Sequence, residues 1–275
     1  MSSTTALLTA FAYLVTKGAP RRPVFHYTTI EALFAGIISN KRNPGEEICL
    51  WASNCEYMND PDEIKTGMKF AEEFLTDLLE EDALFAEDSK DNLLKKIFIL
   101  SFSECADELP MWNTYGKGGK GINLEIDLSD YLAHKKHQYL AATLYSYPNR
   151  ARGLSEKIKK ISENADIKEK LKDVQLDVDA EILSSLLAMI TKNEYYDYEK
   201  EVRLACIGSE QVEYRLSNGL IIPYMNVFLE KEKLKSITVG PCADFKLTGK
   251  SLRTYLDSIG FEHVQIKQSL INYRN

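Results

Sequence analysis

The chain is short of several things, and each shortage excludes a class of protein. Histidine is scarce, with four in 275 residues. The five cysteines (Cys49, Cys55, Cys105, Cys206 and Cys242) are odd in number, include no C-x-x-C pair, and have no histidine beside them at metal-ligand spacing. A disulfide framework and a zinc site are therefore not expected, no metal is assigned, and a reducing cytoplasm is the expected location. Basic residues do not dominate either: 34 Lys and Arg face 41 Asp and Glu, a formal net charge of −7. That balance argues against gripping duplex nucleic acid by bulk charge, although a local groove for single strands stays compatible with it. No apolar run is long enough to cross a bilayer. The run from Ala6 to Val15 is too short and has no Lys or Arg before it. It makes a poor signal peptide and a better docking helix, so no membrane contact is expected. Neither a Ser-His-Asp triad nor an HExxH metal motif can be read, and Gly116 to Gly121 lacks the Gly-Lys-Ser/Thr ending of a nucleotide-binding P-loop.

What remains is ordinary globular material, 44% hydrophobic and 27% charged, in a chain long enough to bury a sizeable core. Residues 1–23 read as a helix and a turn-rich linker, and residues 24–275 as one α+β domain with a helical insertion at about 151–192. Strands are expected at Val24–Tyr27, Ile48–Ala52, Ile97–Phe102, Ile122–Asp127, Leu144–Tyr147, Glu201–Ile207, Leu220–Tyr224, Ser236–Gly240 and Val264–Lys267. Thr28 or Thr29 should cap a helix over Ile30–Ile38, and further helices are expected at Met68–Phe85 and Leu247–Ile259. The mixture suggests a split β-sheet core with flanking helices.

Chemistry-bearing residues gather in a few places. Tyr198-Glu199-Lys200-Glu201-Val202-Arg203 alternates, so in an extended strand Glu199, Glu201 and Arg203 share one face. Such a face builds either a polar site or a cross-sheet ladder of salt bridges. Far upstream, Phe25-His26-Tyr27-Thr28 places an imidazole and a phenol where a strand gives way to a helix. Asn59, Asp60 and Glu63 suit a turn and helix cap, or the mouth of a pocket. Trp112 and Tyr115 sit beside a glycine-rich stretch with two lysines, placed either to stack on a ring or to pack in the core. Asp60, Glu63, Glu199, Glu201 and Lys192 together offer the acids and the lysine that a metal-dependent nuclease would need.

The order of short motifs is His26-Tyr27-Thr28, Asn59-Asp60-Pro61 with Glu63, Ser101-Phe102-Ser103, Met111-Trp112 with Tyr115-Gly116, Tyr198-Glu199 with Glu201 and Arg203, and Ser269 with Tyr273-Arg274. This series, spread over residues 24–274, resembles the bacterial domain-of-unknown-function 2971 proteins. More distantly, the opening His-Tyr-Thr strand and short helix are similar to the first motif of ADP-ribosyltransferase-like folds. That resemblance implies an ADP-ribosyltransferase-like α+β fold and NAD as substrate. It implies His26 at a ribose of NAD, Glu201 as the catalytic carboxylate, and Tyr115 or Tyr27 packed on nicotinamide. Thr28 is a further candidate on the NAD side, and Arg203 either holds Glu201 or binds a diphosphate, because a guanidinium matches phosphate oxygens in a bidentate way. Asn59, Glu63, Ser103, Trp112 and Glu199 are then candidates for the pocket wall. The acceptor would be a nucleic acid or a protein, in a toxin or phage-defence setting with an antitoxin as a further candidate partner. A non-catalytic nucleotide- or partner-binding module and a metal-dependent nuclease are the alternatives.

Overall fold

β3, Ile97–Ser103, organises the molecule, because its seven residues leave almost no polar surface. Phe98, Leu100 and Phe102 enter the main core, while Ile97 and Ile99 point the other way into a second cluster. A strand buried on both faces must be covered on both, and this one is. The computed structural model describes residues 23–38, 46–58, 60, 62–79, 94–131, 138–163, 185, 187–208, 211–217 and 219–273. The expected N-terminal helix, Asn59, the end of the expected Met68–Phe85 helix, most of 164–186 and Arg274 lie outside them.

Ten strands form one mixed sheet in the order β12-β11-β4-β1-β3-β2-β10-β9, with β8 paired to β3 and β5 paired to β8. In that sheet β1 is Val24–Thr28, β2 Glu47–Asn54, β4 Ile122–Ile126, β5 Gln138–Ala142, β8 Glu201–Ile207, β9 Val212–Ser217, β10 Leu220–Glu230, β11 Leu234–Val239 and β12 Gln265–Gln268. β6, Leu144–Tyr145, and β7, Thr191–Lys192, form a separate two-stranded parallel sheet. The helices are α1, Glu63–Leu79; α2, Leu109–Thr114; α3, Arg150–Glu163; and α4, Phe245–Ser258.

The two edges of β3 are used differently. Along one edge all seven residues pair with β8, from Ile97↔Ile207 to Ser103↔Glu201. Along the other, Phe98 and Ile99 pair with β2, and only Ser103 pairs with β1. The sheet therefore parts between β1 and β2, and the backbone between Ile99 and Ser103 faces an opening instead of a neighbour. Backbone groups so exposed must find other partners. His26 supplies one, its Nδ1 lying 3.0 Å from the Ser101 carbonyl oxygen.

Several expected boundaries move for clear reasons. Thr29, not Thr28, is the N-cap, its Oγ1 accepting from the Ala32 amide at 3.1 Å. The helix it starts is α-helical only over Ile30–Ala32 and continues as a π-helix over Leu33–Ile37. β10 runs on to Glu230, well past Tyr224, because its seven-residue register with β2 carries Asn226, Val227 and Phe228 along. The expected 151–192 helical block contains α3 and a turn of helix at 187–190 but ends in β7. The sequence reading omits β5, a short segment whose pairing comes from the distant β8, and β9, which pairs with β10 just after it in the chain.

Candidate active site

The opening between β1 and β2 is a cavity of about 320 Å³. Its walls come from β1, β2, the end of β3, α2, β7, the start of β8, and β9. Strand ends that part in this way leave side chains without a neighbouring strand to cover them, which is where α/β and α+β proteins commonly build sites.

At one end lies a buried cluster of charge. Glu201 and Arg203 share the face of β8 turned away from the main core, as alternation requires. Glu199 does not belong to that strand. It ends a 3-10 turn, Glu194–Glu199, and Lys200 follows in the left-handed region at φ 43°. The twist there brings the Glu199 carboxylate back over the strand face by a route that alternation does not describe. Lys192, from β7, lies between the two acids, with Nζ 2.6 Å from Glu199 Oε2 and 3.2 Å from Glu201 Oε2. Arg203 Nη2 reaches the same Glu201 oxygen at 2.9 Å, and its Nη1 donates to the Met189 carbonyl at 2.8 Å. Tyr115 OH donates to Glu199 Oε1 at 2.8 Å, and the Glu201 amide donates to Tyr145 OH at 2.8 Å. All four charged side chains are at most 3% exposed, so the four charges must neutralise one another.

The electrostatics follow from that burial. Desolvation raises the Glu201 pKa, with Lys192 opposing it. For Lys192, burial disfavours the charge, but Glu201 and Glu199 outweigh it and hold the ammonium protonated. Burial lowers Arg203 to about 9. Tyr115 is pushed well up, by burial first and the Glu199 charge second, so its phenol stays a donor. The buried Ser101 hydroxyl also lies close enough to the Glu201 carboxylate to favour its charged form, while Lys192 and Arg203 both hold Oε2. Ser101 and Glu201, on adjacent strands, both line the cavity.

The other sequence-predicted residues fall into two groups. His26, Tyr27, Thr28, Ser103 and Tyr115 line the cavity with Glu199 and Glu201. Within this group, Tyr27 is spent on structure: its OH donates to the Cys105 carbonyl at 3.0 Å, and its ring meets Trp112 edge-on. Ser103 Oγ donates to the Glu199 carbonyl at 2.5 Å and accepts from the Cys105 amide, locking the loop after β3 to the turn before β8. Trp112 does not line the cavity. It is fully buried behind Tyr27, with Nε1 2.6 Å from Asp107 Oδ1, because a ring of that size at the base of α2 fills the gap under β1. Arg203 is also outside the cavity wall, fully buried, with its guanidinium committed to Glu201 and backbone carbonyls, so it is not placed to meet a diphosphate. Asn59 and the Glu63 side chain lie outside the described residues.

The glycine-rich stretch is a close-packed corner. A Cβ at Gly121 would lie 2.4 Å from the Thr28 carbonyl oxygen, and Lys117 turns outward to Glu31 at 2.5 Å. Ser269 Oγ and the Leu270 amide both donate to Asp107, at 2.8 and 2.7 Å, fastening the C-terminal segment. Tyr145 joins the charged end without having been expected there, whereas the nuclease alternative already groups Lys192 with Glu199 and Glu201, and Ser101 enters the sequence reading only as part of the Ser-Phe-Ser motif. Among the described residues no three His, Cys, Asp or Glu side chains converge as metal ligands.

Residues 111–204 match the model of a family described as a protein of unknown function, DUF2971. The matched segment contains Tyr115, Lys192, Glu199, Glu201 and Arg203, and leaves out β1 with His26 and β3 with Ser101. No curated protein and no solved structure matches the chain.

Proposed function

We propose that the cavity binds NAD as a substrate and that the protein transfers ADP-ribose to a macromolecule. One observation carries this reading. The sheet divides at β3, and the cavity at the division sets His26 of β1 and Glu201 of β8 on the same space, the two residues that the resemblance to ADP-ribosyltransferase-like folds pairs at a ribose. A volume of about 320 Å³ falls within the range of small-molecule sites.

In the reaction the bond between ribose C1′ and the nicotinamide nitrogen breaks, and nicotinamide leaves as a neutral base with the electron pair. Positive charge develops on the ribose, an acceptor nucleophile attacks C1′, and the acceptor gives up a proton. Glu201 Oε1 is the oxygen that can take a ribose hydroxyl, while Lys192 and Arg203 hold the carboxylate in place through Oε2. A preoriented carboxylate in a dry site stabilises that developing charge more than water would. The half-buried His26, fixed by the Ser101 carbonyl, contributes a second ring nitrogen toward the opening.

A cytoplasmic toxin or phage-defence effector, modifying a nucleic acid or a protein and restrained by an antitoxin, is the setting that this reading proposes. A second reading is favoured by the double grip of Lys192 and Arg203 on Glu201: a carboxylate so held also suits a non-catalytic nucleotide-binding module. Incubation with NAD and cell extract, with and without nuclease treatment, separates the two. Nicotinamide release by the wild type and not by Glu201→Gln is the expected result. NAD binding by both proteins with no release from either, in any extract, overturns the transferase in favour of the module.

A further inference from the structure

The cavity has a second end that the chemistry above does not use. It is built on β2 and β9, which flank β10 in the sheet; Trp51 and Ser53 share a face of β2 and Arg215 projects from β9. Arg215 Nη2 donates to Ser53 Oγ at 2.9 Å, and the guanidinium carbon lies 5.5 Å from the centre of the Trp51 ring. Trp51 is itself held by Tyr224, with ring centroids 5.4 Å apart. Glu213, two residues before Arg215 on the same strand, is engaged by other groups: it accepts from Tyr224 OH at 2.9 Å and from Asn226 Nδ2 at 2.6 Å.

Arg215 therefore stands in a different electrostatic position from the other cations near the cavity. Lys192 and Arg203 are neutralised by Glu199 and Glu201. Arg215 makes no ion pair among the described residues, and its Nε is buried without a hydrogen-bond partner. A half-buried guanidinium with no counter-charge and a buried Nε is better satisfied when an anion arrives. The planar fork matches two phosphate oxygens at once, and stacking on a ring holds the fork still before the ligand enters.

We propose that Arg215, seated on Trp51 and Ser53, binds the phosphate of a nucleotide whose ribose end lies at Glu201. The assignment rests on the reading of the cavity as an NAD site and replaces Arg203 in the role of phosphate ligand. It makes the ligand's phosphate, and not its nicotinamide, the group recognised at the β2–β9 end.

The test is a set of dissociation constants, read from tryptophan fluorescence and calorimetry, for NAD, ADP-ribose, ADP and nicotinamide riboside. The proteins are the wild type, Arg215→Gln, Arg215→Lys and Ser53→Ala, each checked for an unchanged thermal melt. We expect Arg215→Gln to weaken the three phosphorylated ligands at least tenfold and to leave nicotinamide riboside unchanged. Arg215→Lys should recover part of the loss, and Ser53→Ala should show a smaller one. Equal affinity of wild type and Arg215→Gln for NAD and ADP-ribose overturns the phosphate assignment and leaves the NAD site standing. Arg215-dependent binding of ADP without NAD binding does the reverse. Failure of the wild type to bind any phosphorylated ligand overturns both.

Discussion

Lys192 is the residue on which the charged end depends, because it touches both acids and is itself 1% exposed. Removing one partner of a buried ion pair costs about 3–5 kcal/mol, since the charge left behind is uncompensated. Lys192→Met should therefore lower stability by about that amount in urea denaturation, a large share of a typical total of about 5–15 kcal/mol. In a Glu201→Gln background the same change should cost less, because one of the acids it would strand is already neutral; strict additivity would argue against a shared network. His26 gives a pH signature. Burial lowers its pKa, with the Ser101 carbonyl pulling the other way. The unfolded chain then takes up this proton first, so the stability His26 contributes is present above its ordinary value of about 6.5 and is lost as pH falls through the lower folded value. Urea midpoints followed from pH 7 to pH 5 should fall less steeply in His26→Asn than in the wild type. Glu201 shifts the other way, so nicotinamide release should decline on acidification with an apparent pKa above the usual carboxylate range.

Among the elements, the short helix after β1 carries the clearest constraint. Its π-helical half places Gly36 against Trp51, where an added Cβ would sit 1.9 Å from Trp51 Cζ2. The indole cannot be reoriented without disturbing its contacts with Tyr224 and Arg215. Gly36→Ala should cost about 1–3 kcal/mol, the usual range for overpacking, and should shift tryptophan emission as Trp51 moves. A variant with wild-type stability and emission would mean that this helix does not brace the ring. β8 shows the opposite division of labour. Val202, Leu204 and Cys206 anchor the main core, so Glu201 and Arg203 are held on the other face by packing they do not share. The period-2 pattern of the sequence was enough to put those two together. Glu199 was grouped with them correctly, but for a reason that fails: Lys200 in the left-handed region, not strand alternation, returns it to the cluster.

For the whole molecule, a ligand that enters the cavity bridges β1, β3, β8 and the β2–β10–β9 side, which are otherwise parted beyond Ile99. Anything that binds the folded state alone stabilises it by mass action, about 2.7 kcal/mol at a hundredfold excess over the dissociation constant. NAD or ADP-ribose should therefore raise the urea midpoint, and hydrogen exchange should slow in β1 and in residues 99–103. A midpoint unmoved by saturating concentrations of both compounds would argue against nucleotide binding in this cavity.

How much of this could be read in advance depends on the distance over which each feature is decided. The apolar run of β3, the amphipathic pattern of α4 and the alternation in β8 are local, so the α+β class and the pairing of Glu201 with Arg203 were written in the sequence itself. His26 and Tyr115 were legible as candidates because their neighbours form recognisable short motifs. Three things needed the tertiary structure. Lys192 reaches both acids only because β7 crosses beside the start of β8, and Trp112 is withdrawn from the cavity because Tyr27 stands in front of it. Arg215 meets Trp51 across 164 residues of chain only because β10 carries β9 to the edge of β2. A sequence shows which side chains are able to do chemistry; long-range strand pairing decides which of them share a space and which are used up holding the others in place.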